Sequence, residues 1–241
     1  MLDINPIKPI ITNVDANDTR KLCSLSIPNN KAGKLYLDVT MPQNGFGCHF
    51  ISQLRDRFNK LLGYEEFAFY QGQKDISGLF IRVNDIYQRN GYNLGEILRL
   101  SSIIEILENK IKNFNIVSKS TAVYFHSKYK FKPNVTDFYE RNQLLKGIIE
   151  DKSAGFEEIS AKAQQLMNKI NSTSEATKQR EYCEEANKLL YEYIQMGLKD
   201  GAEQKHPFNW VMGMTLTDEN ILNNRKFFNE KFLKHGIDYE V

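Results

Sequence analysis

The hydrophobic period of this chain changes part-way along, and that change limits the folds open to it. In KLCSLSIP, Cys23, Leu25 and Ile27 alternate with Ser24 and Ser26; in KLYLDVTM, Leu35, Leu37, Val39 and Met41 share one face. Successive side chains of a strand point to opposite faces, so each run reads as a strand with one buried face. The connecting PNNKAG supplies turn residues, and the pair reads as a β-hairpin. Beyond Pro133 the spacing turns helical, with candidate helices over 136–150, 155–170, 175–199 and 218–235. Thr136, Ser174 and Thr217 are candidate N-caps, and Gly201 and Gly236 are candidate stops. A β-rich half followed by a helical half is the α+β pattern.

The stretch between is open to two readings. Phe50, Ile51, Leu54, Phe58, Leu61 and Leu62 predict a helix, with Gly63 placed to stop it. FAFYQG (67–72) and GLFIRVN (78–84) read as strands. Residues 94–114 fit one long helix, or a strand in GEILRLSS followed by a short helix from Ile103. The long helix gives the order β-α-β-β-α-β, a ferredoxin-like sandwich with 121–132 as its last strand. The strand gives a ubiquitin-like β-grasp, which is preferred because it uses the N-terminal hairpin. The expected organisation is then an arm over 1–20, a β-grasp domain over 21–103 and an all-α helical domain over 104–241, entered through a basic segment at 110–132. Leu35, Leu37, Val39, Leu54, Phe58 and Phe69 are expected in one core.

EEFAFYQGQKDISGLFIRVND followed by NLGEILRLSS resembles the second half of the ubiquitin-like domains that open FERM proteins, formins and engulfment-and-motility scaffolds. The matching elements are Phe67–Gln71 and Gly95–Leu100. VYFHSKYKFKPNVTDFYERNQLLKGII resembles the entry to the helical second lobe of a FERM domain. The resemblance covers residues 21–150; HPFNWVMGMTL and the final helix show no third, all-β lobe. It implies a non-enzymatic adaptor or regulator engaging a small GTPase, the cytoskeleton or an anionic membrane surface. The alternatives are a ferredoxin-like nucleic-acid-binding protein and an enzyme without a recognisable motif.

The chemistry-bearing motifs are sparse. NGFGC (44–48) lacks the third glycine of a dinucleotide fingerprint and the Gly-Lys-Ser/Thr of a P-loop. Cys48 and His49 are adjacent, which on a helix points them about 100° apart. His126, His206 and His235 show no paired-ligand spacing, and Cys-x-x-Cys and Gly-x-Ser-x-Gly are absent. No catalytic, cofactor or metal residue is therefore expected, and no cofactor. Three scattered cysteines make no disulfide framework and point to a reducing, cytoplasmic setting. No apolar run is long enough to span a bilayer.

A net charge of +2 on 241 residues leaves any anionic partner to local clustering. Between Glu108 and Asp137 there is no carboxylate. Read as a strand, this segment puts Val123, Phe125, Ser127, Tyr129 and Phe131 on one face and Tyr124, His126, Lys128, Lys130 and Lys132 on the other. Lys110, Lys112 and Lys119 extend the cationic stripe. The expected partner is a protein, with a small GTPase as one candidate, or anionic lipid. Nucleic acid is disfavoured, because only Tyr124 and His126 share the lysine face for stacking.

Overall fold

The computed structural model describes residues 10–11, 21–29, 31, 33–40, 48–69, 74–88, 91–199 and 211–241. The elements in order are β1 (Ile10–Ile11), β2 (Lys21–Asn29), β3 (Gly33–Thr40), β4 (Cys48–Asp56), β5 (Leu61–Phe69) and β6 (Asp75–Val83). They continue with α1 (Leu94–Glu108), β7 (Asn113–Ser118), α2 (Val123–Lys128), β8 (Lys132–Pro133), α3 (Phe138–Glu150), α4 (Glu157–Ser172) and α5 (Ala176–Lys199). The last are β9 (Met212–Thr217), α6 (Asp218–Asn223) and α7 (Arg225–Lys234). The chain forms two compact units, one of residues 1–115 with 217–241 and one of residues 116–216.

In the first unit β1 to β6 lie side by side in chain order, every neighbouring pair antiparallel. The expected hairpin is β2–β3, with Leu25 opposite Leu37 and Ile27 opposite Leu35. Leu35, Leu37, Val39 and Leu54 are fully buried on one face. Burying a side chain of this size is worth about 1.5–3 kcal/mol.

The β-grasp expectation fails at residues 48–62, which form a strand and a turn where that fold needs a helix. Phe50, Ser52 and Leu54 are the buried set, so the true period is two, and polar Ser52 on the buried face hid it. Ser52 is accommodated by a bond between its hydroxyl and that of Ser101 (2.9 Å). Phe58 is not core: it sits in the β4–β5 turn, 76% exposed. There Asp56 Oδ1 accepts from the N–H groups of Phe58 and Lys60, and Asn59 takes a left-handed φ of 65°. The side chain of Phe69 lies outside the described residues.

Gly63 stops no helix. It lies within β5, where an added Cβ would stand 2.9 Å from the Arg82 carbonyl oxygen and 3.2 Å from Leu98 Cδ1. GEILRLSS is helix, part of the continuous α1, so the preferred strand assignment is overturned. The ferredoxin-like alternative fails as well, since β3 is followed by a strand.

In the second unit α3, α4 and α5 pack on one another. Ile159, Ala163, Leu166 and Ile170 make the buried stripe of α4 at helical spacing. Phe156 meets Tyr193 edge-on at 5.2 Å between ring centres, and the Tyr193 hydroxyl donates to Asp151. Asp137, not Thr136, caps α3, accepting from the Glu140 N–H at 2.8 Å. In the first unit Thr217 caps α6 as expected, and Gly236 follows α7 at φ 68°. Gly201 and HPFNW lie outside the described residues. Among the described residues no helix is long and apolar enough to cross a membrane.

Candidate functional site

The segment from β6 into α1 carries a β-bulge, a short 3₁₀ turn and two left-handed residues. Glu66 pairs with Phe80 and Phe67 with Gly78, so Leu79 is an extra residue in β6. A bulge of this kind takes its residue out of the ladder and bends the strand. Leu79 and Phe80 are exposed at 46% and 63%, although both are large and apolar.

The chain leaves β6 through a short 3₁₀ turn at Asp85–Tyr87. Asn84 fixes the turn: its N–H donates to the Leu62 carbonyl (2.9 Å), and its Oδ1 accepts from the Ile86 N–H (3.2 Å). Gln88 Nε2 donates to the Val83 carbonyl (2.8 Å) and to Asp85 Oδ1 (2.9 Å), which folds the loop back on the strand end. Asn29 Nδ2 holds the Tyr92 carbonyl at 3.0 Å. Gly91 (φ 71°) and Asn93 (φ 56°) are both left-handed, a conformation that glycine and asparagine tolerate. Asn93 is the N-cap residue of α1 and makes no side-chain capping bond. Its carbonyl accepts the first helical bond, from the Ile97 N–H at 3.1 Å.

Behind the loop, α1 is fixed on the sheet by a buried polar cluster. Arg99 Nη1 donates to Glu65 Oε1 (2.8 Å), and the Ser102 hydroxyl donates to Glu65 Oε2 (3.0 Å). Burial raises the Glu65 carboxyl above its ordinary value, and Arg99 and then Ser102 offset part of that rise. With the guanidinium at 2.8 Å we take the pair as ionised. Arg99 also lies over the Phe114 ring at 5.2 Å. In the first turn of α1, Glu96 receives Lys231 (2.6 Å) and Lys234 (3.1 Å) from α7, with His235 Nε2 at 3.0 Å.

The residues named from the sequence fall elsewhere. Residues 123–128 are helix, so no strand gathers Lys128, Lys130 and Lys132 on one face. Lys128 and Lys132 are exposed, and Lys130 is half-buried at φ 69°. The Lys132 ammonium lies 5.9 Å from the Tyr191 ring centre. His126 is buried against Phe125 and Phe131, which removes it from any exposed cationic face. Lys119 is exposed in the second unit; Lys110 and Lys112 are exposed in the first, with Lys112 paired to Asp218 at 2.5 Å.

Sequence reasoning missed Leu79, Gln88, Gly91 and Asn93. The signal was present: turn-forming NDIYQRNGYN stands between a strand and an apolar run. Reading that run as a strand erased the helix, and with it the helix N-terminus.

No protein-family model matches the chain, and no curated protein matches it. Among solved structures, an acetyltransferase of the GNAT family from Staphylococcus aureus aligns with 36% of this chain and 56% of its own, at 14% identity and a TM-score of 0.33. Tetrahymena GCN5 aligns with 37% of this chain and 54% of its own, at 19% identity and a TM-score of 0.33. The PaiA N-acetyltransferase from Thermoplasma acidophilum, in complex with coenzyme A, aligns with 37% and 55%, at 18% identity and a TM-score of 0.31. This chain thus spans just over half the length of each, and TM-scores this low do not establish a shared fold. The Staphylococcus aureus and Thermoplasma acidophilum proteins are acetyltransferases, and none of the three is a FERM, formin or engulfment-scaffold domain. The expectation of a non-enzymatic adaptor for a small GTPase, the cytoskeleton or an anionic membrane rested on the β-grasp, and it falls with that fold.

Proposed function

We propose that the β6–α1 crossing binds acyl-coenzyme A and that the chain is an enzyme transferring the acyl group to an amine. One observation carries the reading. The bulged strand β6 runs through left-handed Gly91 and Asn93 into the N-terminus of α1, which Asn93 leaves without a side-chain cap. The first-turn N–H groups of a helix carry partial positive charge and favour phosphate oxygens. Left-handed residues just before them aim further N–H groups into the same concavity. A diphosphate fits that cradle. In acyl-coenzyme A the diphosphate is joined to a thioester, the activated acyl group the reaction needs.

The chain's own groups have separable tasks. The cradle holds the diphosphate and sets the direction in which the rest of the ligand runs. The Leu79 N–H, outside the ladder register, is assigned to hydrogen-bond the thioester carbonyl oxygen, where negative charge develops as the amine attacks. Glu66 stands opposite Phe80, the residue after the bulge, and is assigned as acceptor of the amine proton.

The test is release of free coenzyme A thiol from acetyl-coenzyme A over a panel of primary amines. Thiol release that depends on an amine, and that falls on the order of a hundredfold in Glu66→Gln, is the expected result. Glu66→Gln with wild-type turnover would remove that residue's assignment. No release with any acyl donor or amine would remove the enzymatic reading.

A further inference from the structure

A cavity opens in the first unit where the β2–β3 and β4–β5 turns meet the loop before α1. It measures about 320 Å³, within the range of small-ligand sites. Lys31, Asp56, Arg57, Phe58, Tyr87 and Tyr92 line it. Its cations rest on rings: Lys31 lies over Tyr92 at 5.6 Å and Arg57 over Phe58 at 4.7 Å. At its edge Lys60 lies over Tyr87 at 5.4 Å and donates to the Tyr87 hydroxyl at 3.1 Å. Tyr87 and Tyr92 meet edge-to-face at 5.2 Å.

Among the described residues of the lining, Asp56 is the one carboxylate, and it bonds to the turn. Asp56 Oδ1 accepts from two backbone N–H groups, at 2.8 and 2.9 Å. An exposed cation–ring contact is weaker than a charge-assisted hydrogen bond to phosphate, so an anion can draw these side chains off their rings. The faces so released suit a flat base, and Phe58 is exposed at the mouth. The β4–β5 turn is held by Asp56 Oδ1 and by the backbone bonds Asp56 N–H to the Lys60 carbonyl (3.1 Å) and Asn59 N–H to the Asp56 carbonyl (3.0 Å), none of which uses the Arg57 or Lys60 side chain.

We propose that this cavity is a nucleotide site, with its rings taking the base and Lys31, Arg57 and Lys60 taking phosphate. The nucleotide is either free or the nucleotide end of coenzyme A; in the second case the inference rests on the acyl-coenzyme A reading above.

The test is calorimetric titration of the full chain with adenosine 3′,5′-bisphosphate and, separately, with coenzyme A. Arg57→Gln, Phe58→Ala and Phe58→Tyr are compared with wild type, and thermal melts confirm that each folds. Bisphosphate binding should weaken on the order of tenfold in Arg57→Gln and in Phe58→Ala, and be retained in Phe58→Tyr. If Arg57→Gln weakens coenzyme A by the same factor, the cavity holds that ligand's nucleotide end. If only the free nucleotide weakens, the site serves a separate nucleotide. A wild type that ignores the bisphosphate, or variants that bind it as tightly as wild type, would overturn the inference and leave the acyl-coenzyme A reading standing. Bisphosphate binding without coenzyme A binding would do the reverse.

Discussion

Glu105 carries a pH dependence that the rest of α1 does not suggest. It is 4% exposed, and burial pushes its carboxyl from 4.5 up to about 7, with Asn109 pulling it down and Glu108 pushing it further up. Between those values the unfolded chain has released this proton and the folded chain has not. Glu105 therefore favours the folded state below 4.5, and that contribution is lost as pH rises towards about 7. The full effect is about 3 kcal/mol. Glu105→Gln should flatten stability against pH across this window, as read from urea midpoints at its two ends. An unchanged slope would mean that the carboxyl reaches water. The single residues read most reliably from the sequence were Leu35, Leu37, Val39 and Leu54, each fully buried. Phe58 misled because a large ring at a turn tip looks the same in sequence as one in a core.

Among the elements, those with one clean face were legible and those buried on several sides were not. The β2–β3 hairpin and the stripes of α3, α4 and α5 follow directly from period and turn chemistry. Helix α1 is buried over most of its circumference from Leu94 to Ile106, so no polar face reveals its turn. Residues 129–132 alternate aromatic with lysine as a strand would, but the left-handed Lys130 ends any extended run there. Arg99 and Glu65 join α1 to β5 inside the core. Arg99→Ala leaves a buried carboxylate without its cation and should cost about 3–5 kcal/mol. Replacing both partners by apolar residues of similar volume should cost far less. Equilibrium denaturation of the single and double variants measures the difference. Equal losses would show that the pair contributes no more than its packing.

At the scale of the whole molecule, the chain divides into a unit of antiparallel strands with α1, α6 and α7 and a unit dominated by α3 to α5. The candidate site belongs to the first, and little of it could be read in advance. A bulge depends on cross-strand register, which one strand's sequence does not carry. A helix N-terminus exists only once the helix is recognised. The central claim is that the cradle at Gly91, Asn93 and the first turn of α1 receives a diphosphate. The most direct measurement is backbone amide NMR during titration with coenzyme A, repeated with inorganic pyrophosphate. Both ligands should shift the amides of Gly91, Asn93, Leu94 and Gly95, and coenzyme A alone should also shift Leu79. Saturating coenzyme A that leaves these amides unmoved, or moves only amides elsewhere in the chain, would contradict the claim.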